Sequence, residues 1–177
     1  MIYTCKYASP LGSITLAGDD AELTGLWFDG QRYFGSTLPA DAEEGRSPVF
    51  DEARHWLDIY FSGRQPDFTP PLRYGSTPFR RIVCGIMLSI PYGQTMTYSE
   101  IARRAAAELG RGSMSAQAVG GAVGHNPISI IIPCHRVTGT NGSLTGYAGG
   151  LDRKVRLLEL EGADMSGLFV PAKGTAL

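Results

Sequence analysis

Residues 97–124, TYSEIARRAAAELGRGSMSAQAVGGAVG, decide the fold of this chain. A capping box over Thr97 to Glu100 predicts the start of a helix with apolar residues along one face. Gly110 to Gly112 predicts a tight turn, and Ser113 is the expected N-cap of a second helix over roughly 114–124. Two helices joined by a short glycine-containing turn are typical of a DNA-binding helix-turn-helix, and also of a simple αα-hairpin.

The sequence on either side of this pair predicts one further helix each. Thr77-Pro78 provides an N-cap followed by proline at the first helical position, and a helical apolar period then continues to Ile90. On the other side, Leu151 to Glu161 is predicted to be the last helix. Between them, the apolar run Ile128–Pro133 is predicted to be a short buried strand, and 139–150 a glycine-rich loop.

The first 70 residues have a different character. Turn residues separate three runs with strand propensity, and a helix is predicted over 48–62. The strand runs are residues 2–8, 13–17 and 23–28. Three prolines between Gly63 and Pro71 indicate a linker.

We therefore expect an α+β protein with two domains. Residues 1–70 are expected to form a small domain of β-sheet and helix, with the linker near 63–75. Residues 76–177 are expected to form a mostly helical, winged-helix-like domain that contains the helix-turn-helix.

Composition excludes several classes of protein. Hydrophobic residues make up 43% of the 177 residues and charged residues 19%, which argues against disorder. No apolar run is long enough to cross a bilayer, and no secretory signal is visible, so a cytoplasmic location is expected. The three cysteines are widely spaced, which is a poor disulfide framework and indicates a reducing compartment. The histidines are too scattered to suggest a metal site, and no metal or cofactor is predicted.

Charge is distributed unevenly along the chain. Residues 1–70 carry 11 acidic and 5 basic side chains, whereas residues 71–177 carry 6 acidic and 11 basic ones. The basic side chains of the second half are mostly arginines, whose geometry suits phosphate. This asymmetry is consistent with a polyanion-binding second half, and equally with a solvated basic face.

The strongest chemical feature is the stretch from Ile132 to Val137, IPCHRV. Cys134 follows an apolar run and has a possible base, His135, and a permanent cation, Arg136, as its next neighbours. An adjacent cation or histidine lowers the pKa of a thiol, and the thiolate is the nucleophile. The alternative is a buried inert cysteine, the interpretation that we favour for Cys5 and Cys84.

The stretch Pro133-Cys134-His135-Arg136-Val137 resembles the active-site signature of the methylated-DNA–protein-cysteine S-methyltransferases, the O6-alkylguanine-DNA alkyltransferases of direct DNA repair. The resemblance covers residues 75–162, and Ser9–Gly12 is similar to the N-terminal domain of the family. Further motifs occur in the family's order and spacing: Thr77–Phe79, Ile90–Gly93, Thr97-Tyr98, Ala118–Ala122, Asn126-Pro127, Gly146–Leu151 and Leu160–Gly162.

The resemblance implies an enzyme that acts once. The protein would take a methyl or larger alkyl group from O6-alkylguanine in double-stranded DNA, with O4-alkylthymine as a further substrate, and keep it on Cys134. It would bind the minor groove and flip the damaged base into a pocket. The resemblance also implies a monomer with no membrane partner, and displacement by a thiolate needs no Lewis acid.

Roles for individual residues also follow from the resemblance. His135 and Glu161 would activate the Cys134 thiol through a water molecule, Tyr98 would protonate the leaving guanine, and Asn126 would tie the recognition helix to the active-site turn. The implied substrate-binding residues are Tyr147, the backbone N–H of Ala148, the backbone carbonyl of Val137, and Val123. The implied DNA-binding residues are Gln117, Ala118, Gly120, Gly121, Arg136, Arg111 and Ser115.

Two positions depart from the pattern of the family. Gln117 stands where the family usually has the arginine that enters the base stack, and Ala148 stands where it often has serine. DNA affinity is therefore expected to depend more on other arginines, namely Arg80, Arg81, Arg103, Arg104 and Arg111.

Two further functions remain open at this point. One is a non-catalytic sensor of alkylated DNA, although the relatives of that kind lack the cysteine. The other is a Cys-His hydrolase. Turnover discriminates between them, because a hydrolase turns over, an alkyltransferase reacts once, and a sensor is never modified.

Overall fold

Strand-forming residues near the N-terminus build a four-stranded sheet. In the computed structural model, which describes residues 1–172, the strands pair in the order β3-β2-β1-β4. Their bounds are β1 Tyr3–Ser9, β2 Gly12–Gly18, β3 Leu23–Phe28 and β4 Glu43–Glu44. The first three pair antiparallel, as β-hairpins do, and confirm the three predicted strands. The short β4 pairs parallel with β1 and lies in the stretch between the third predicted strand and the helix predicted over 48–62.

The helix predicted after this segment is confirmed as α1, Pro48–Phe61. Its N-cap is Ser47, whose hydroxyl accepts a hydrogen bond from the backbone N–H of Val49 at 3.3 Å. Trp56, Leu57 and Tyr60 are buried on one face of the helix. These side chains, together with the buried faces of β2 and β3, form the core of this part of the chain.

The apolar run after Asn126 does not form the predicted strand. Ile128 makes a single bridge to Leu26, residues 129–131 turn, and Ile130 has a φ of 69°. A strand cannot include that angle, because extended backbone requires negative φ. The backbone N–H of Leu26 donates to Pro127 O, and that of Ser129 donates to Leu26 O, both at 2.9 Å. The run is nevertheless buried, as its composition predicts.

The second part of the chain is mostly helical, as predicted. It contains α2 Pro78–Leu88, α3 Tyr98–Glu108, α4 Ala116–Gly124 and α5 Leu151–Leu160. The first three of these helices pack on one another. A two-residue strand before α3, β5 Met96–Thr97, pairs parallel with β6 Val137–Thr138.

Capping side chains explain where these helices begin. The hydroxyls of Thr77 and Thr97 accept from the backbone N–H groups three residues later, which confirms both predicted starts. The start of α4 differs by two residues from the prediction. The N-cap is Ser115, which accepts from Ala118 N at 3.0 Å, rather than Ser113.

The structure divides into two compact units. One contains Met1–Tyr74 together with Pro127–Ile131, and the other contains Gly75–Asn126 together with the chain from Ile132 onward. The boundaries 1–70 and 76–177 stay a prediction, and the sequence does not indicate the return of 127–131 to the first unit. The α+β class is confirmed.

Candidate active site

A short turn holds the candidate nucleophile. Cys134 begins a 3₁₀ turn, Cys134–Arg136, directly after Pro133, and it is 4% exposed. Its backbone N–H donates to Ile132 O at 2.8 Å. The same carbonyl accepts from the side-chain Nδ2 of Asn126, which follows α4, at 2.7 Å. Asn126 thus links the end of α4 to the turn.

The surroundings of the Cys134 thiol act on it in opposite directions. Burial raises its pKa above the ordinary value, because the interior disfavours the charged thiolate. A hydrogen bond from Asn126, the ammonium of Lys154 and the backbone N–H groups of Cys134 and His135 lower the pKa. Since the net shift is upward, the resting group is a thiol, and attack on a substrate requires a base.

The candidate for that base is the pair of His135 and Glu161. His135 Nε2 lies 2.7 Å from Glu161 Oε1, and both side chains are fully buried. Burial lowers the pKa of His135, although Glu161 opposes the shift. The imidazole is therefore neutral near pH 7. An ionised carboxylate can only accept, so Nε2 carries the hydrogen and Nδ1 is the basic atom of the ring.

Four hydrogen-bond donors stabilise the negative charge of Glu161. Oε1 accepts from His135 and from one terminal nitrogen of Arg136 at 2.9 Å. Oε2 accepts from Arg136 Nε at 2.9 Å and from Gly93 N at 3.0 Å. Burial opposes ionisation, but the hydrogen bonds and charges of His135 and Arg136 outweigh it and lower the pKa of Glu161 to about 2. Glu161 therefore orients the imidazole without taking its proton.

The buried position of Arg136 does not fit its predicted role in binding DNA. We expected it to bind DNA, but its side chain is only 10% exposed. Its guanidinium binds Glu161 through two nitrogens and donates through the third to Ile90 O at 2.7 Å. Because these contacts use the guanidinium inside the protein, the structure corrects Arg136 from a DNA contact to a partner of Glu161.

Tyr98 begins α3 and reaches the loop that follows β6. Its hydroxyl donates to Thr145 O at 3.1 Å, with Gly146 O at 3.4 Å. Burial and the proximity of Cys134 raise the pKa of Tyr98, so the phenol keeps its proton at neutral pH. A buried phenol of this kind can give a proton to a strongly basic acceptor and not to water.

The candidate substrate-binding residues lie on this same unit. Tyr147 is buried with its ring edge-on to His135, at 6.5 Å between centroids. Val123 is buried on α4, and Ala148 is half-buried in the loop before α5. The carbonyl of Val137 accepts from Lys154 Nζ at 2.6 Å, which occupies one of its two lone pairs.

Sequence reasoning missed Lys154, which is fully buried on α5. Its ammonium donates to Val137 O at 2.6 Å and to Thr145 O at 3.0 Å. Burial lowers its pKa to about 8, although Cys134 opposes the shift. One signal in the sequence could have identified it. Lys154 stands three residues before Leu157 and four before Leu158, on the apolar face of the predicted last helix.

Only some of the residues predicted to bind DNA lie on the exposed surface of α4. Gln117, Ala118 and Gly121 are exposed on it, and Arg111 is exposed in the preceding turn. Ser115 is exposed, and its hydroxyl caps the helix. Gly120 is buried and therefore faces away from any ligand of this surface. Arg103 and Arg104, which the sequence also suggested, form ion pairs with Glu100.

Within residues 1–172, no group of three histidine, cysteine or acidic side chains could hold a metal ion. Over the same residues, every helix is too short or too polar to cross a membrane.

Comparison with known families gives two matches that together span most of the chain. Residues 2–74 match the 6-O-methylguanine DNA methyltransferase, ribonuclease-like domain, and residues 78–163 match the DNA binding domain of the same name.

Individual relatives agree with these matches. A methylated-DNA–protein-cysteine methyltransferase of Mycobacterium bovis is 44% identical over 161 residues, covering 91% of this chain and 93% of the relative. One from Methanosarcina acetivorans is 42% identical over 163 residues, covering 92% and 99%. Among solved structures, Mycobacterium tuberculosis OGT in complex with DNA is similar with a TM-score of 0.77 at 42% identity, covering 90% of this chain and 92% of that one.

Proposed function

This chain belongs to the methylated-DNA–protein-cysteine methyltransferase family, and we propose that Cys134 is the cysteine that receives the alkyl group. The protein repairs DNA by direct reversal: it binds DNA, removes the alkyl group from guanine O6 and restores the base without cutting the strand. The observation that carries the assignment of Cys134 is that His135, the next residue in the same 3₁₀ turn, forms a buried hydrogen bond with Glu161. The reaction requires a reduced thiol, and thiols stay reduced in the cytoplasm, so a cytoplasmic location is part of the proposal.

The reaction follows from the charges of the site. A duplex hides guanine O6 in the base stack, so the alkylated nucleotide is flipped out before chemistry, at a cost of a few kcal/mol. The Cys134 proton passes to Nδ1 of His135, through a water molecule in the family's mechanism, and the thiolate attacks the alkyl carbon. The carbon–sulfur bond forms as the carbon–O6 bond breaks, and guanine leaves with the electron pair. Tyr98 supplies a proton to the leaving base.

The binding roles are proposals supported by the placement of these residues. Tyr147, Ala148, Val137 and Val123 lie on the same unit as Cys134 and are proposed to form the pocket for the flipped base. The exposed face of α4 is proposed to enter the minor groove, with glycine and alanine allowing close approach. The DNA-binding residues proposed there are Gln117, Ala118, Gly121, Ser115 and Arg111. Methyl is the expected substrate group, and larger alkyl groups and O4-alkylthymine are further candidates.

A reaction of fixed stoichiometry tests the proposal. The protein is incubated with an excess of duplex DNA that contains O6-methylguanine, and its intact mass is followed. We expect each molecule to gain one methylene, located on the peptide that contains Cys134, and repair to stop at one equivalent. More than one repaired base for each protein would indicate a hydrolase, and an unmodified protein that still binds the DNA would indicate a sensor.

Gln117 is proposed to fill the space that the flipped nucleotide vacates. Replacing Gln117 with alanine is expected to slow repair of duplex DNA and to leave reaction with the free modified base unchanged, because only the duplex needs the vacated space filled. Replacing it with arginine is expected to tighten duplex binding, most at low salt. Each phosphate neutralised contributes about −0.9 to the slope of log affinity against log salt.

A matched variant separates position from charge. Gln65→Arg adds the same charge outside the helix-turn-helix, at another exposed glutamine, and should change duplex affinity less than Gln117→Arg. Equal slowing of duplex and free-base reactions by Gln117→Ala would assign the stacking role to another side chain.

A further inference from the structure

Lys154 is a buried cation that the reaction described above does not use. Its side chain is fully buried, and its two hydrogen-bond acceptors are the backbone carbonyls of Val137 and Thr145. Within residues 1–172, none of the ion pairs with a carboxylate involves Lys154. An ammonium has three N–H donors, so these two carbonyls leave one proton of Lys154 available.

A cation in this position is costly unless something compensates its charge. A buried ammonium loses its hydration, and carbonyl dipoles recover only part of the lost free energy even after the protein relaxes. Buried charges in proteins are therefore paired as a rule. The carboxylate of the active site, Glu161, does not pair with Lys154. It already accepts hydrogen bonds from His135, Arg136 and Gly93.

The group that remains is the nucleophile. Lys154 and Cys134 interact electrostatically, and each favours the charged form of the other. The hydrogen bonds of Lys154 also fix it at the site. Val137 lies three residues after Cys134, and Thr145 O is the acceptor that Lys154 shares with the Tyr98 hydroxyl.

We propose that Lys154 is the counter-ion of the Cys134 thiolate and acts as a positioning residue for the transfer, an inference that rests on the proposed function. His135 removes the thiol proton, and the negative charge left on sulfur is held by the Lys154 ammonium. When sulfur takes the alkyl group, that charge leaves with guanine, which gains a proton from Tyr98. The proton on the His135 imidazolium then passes through solvent to the Tyr98 phenolate, so the overall change is thiol plus alkylguanine to thioether plus guanine.

The first test measures the Cys134 thiolate without DNA. Iodoacetamide is applied over a range of pH, and alkylation of the Cys134 peptide is followed by mass spectrometry, which separates it from Cys5 and Cys84. Lys154→Gln keeps a hydrogen-bond donor and removes the charge. Arg156→Gln removes an exposed cation from the same helix and is the matched control.

We expect Lys154→Gln to move the pH profile of Cys134 upward by about one pKa unit and Arg156→Gln to leave it unchanged. The rate near pH 7 should fall by about threefold to tenfold, because a more basic thiolate is scarcer but also more nucleophilic. The other groups that interact with the thiol, namely Asn126, Tyr98, Cys84 and the backbone N–H groups of Cys134 and His135, are the same in the wild-type protein and in both variants. A folded Lys154→Gln protein with the wild-type profile would overturn the proposal.

The second test needs no variant and decides the matter if Lys154→Gln does not fold. The lysine ε-carbons of the wild-type protein are titrated by NMR before and after Cys134 is methylated with methyl iodide. We expect the pKa of Lys154 to fall on methylation, because the sulfur can no longer carry a negative charge. An unchanged pKa would overturn the proposal. Both tests use small reagents, so failure of the proposed DNA repair would appear separately, as no transfer from O6-methylguanine DNA.

Discussion

Cys134→Ser is expected to abolish alkyl transfer and to leave DNA binding intact. Serine has nearly the shape of cysteine, so the turn over Cys134–Arg136 should form, but its hydroxyl is far too weak an acid for a neutral imidazole to ionise. Loss of the nucleophile from a comparable relay lowers the rate by roughly 10⁶-fold. The measurement is the intact mass after incubation with O6-methylguanine duplex, together with a binding assay on the same DNA.

The other cysteines provide the control for this variant. Cys5 is half-buried on β1 and lies outside the unit that contains the site, so Cys5→Ser should transfer at the wild-type rate. If Cys134→Ser still gained a methylene, or if Cys5→Ser lost all transfer, a different cysteine would be the acceptor.

Glu161→Gln is expected to have the second largest effect, on both rate and stability. The carboxylate accepts from four donors, and an amide would place its own N–H₂ group against some of them. Arg136 would also lose its counter-charge inside the protein, which costs about 3–5 kcal/mol of folding stability in comparable buried pairs. With its orientation and tautomer no longer fixed, His135 should lose most of its function as a base, and the rate should fall by about 10²–10⁴-fold.

The experiment compares urea unfolding and single-turnover rates of Glu161→Gln with those of Glu159→Gln. Glu159 is exposed on the same helix, so its replacement should change neither quantity appreciably. The pKa of Glu161 falls from an ordinary 4.5 to about 2 on folding, so its contribution to stability is complete above pH 4.5 and is lost as the pH falls toward 2. Glu161→Gln should remove that part of the pH dependence, and a wild-type acid profile in the variant would contradict the assigned ionisation.

Local sequence rules predicted most of the helices because their causes are local. Thr77 and Thr97 cap the helices that follow them, and the apolar periods of α1 and α5 match the buried faces. Where two candidate caps stand close together, as Ser113 and Ser115 do, the sequence does not decide between them. The hydrogen bond from Ala118 N to Ser115 does, and α4 is correspondingly shorter.

Interactions between distant parts of the chain account for what the sequence did not predict. Arginine is a residue type that commonly contacts phosphate, which is why the sequence suggested DNA binding for Arg136. Only the fold brings it against Glu161, 25 residues away. Lys154 was overlooked because a lysine in an amphipathic helix is normally exposed, whereas here the acceptors come from β6 and the loop after it. Isoleucine is a residue type that favours strands, but Ile130 lies in a turn. The turn follows from the hydrogen bonds that Pro127 and Ser129 form with Leu26.

The bridge between Leu26 and Ile128 has a consequence for synthesis of the protein on the ribosome. β3 is an edge strand, and one stretch of its backbone pairs with a segment made about 100 residues later. At a translation rate of about 5–20 residues per second, that edge waits for about 5–20 s before its partner appears. An unpaired apolar edge is a template for aggregation. The first unit is thus completed only after α4 has been synthesised, so a nascent chain that stops before Pro127 should be the species most in need of a chaperone.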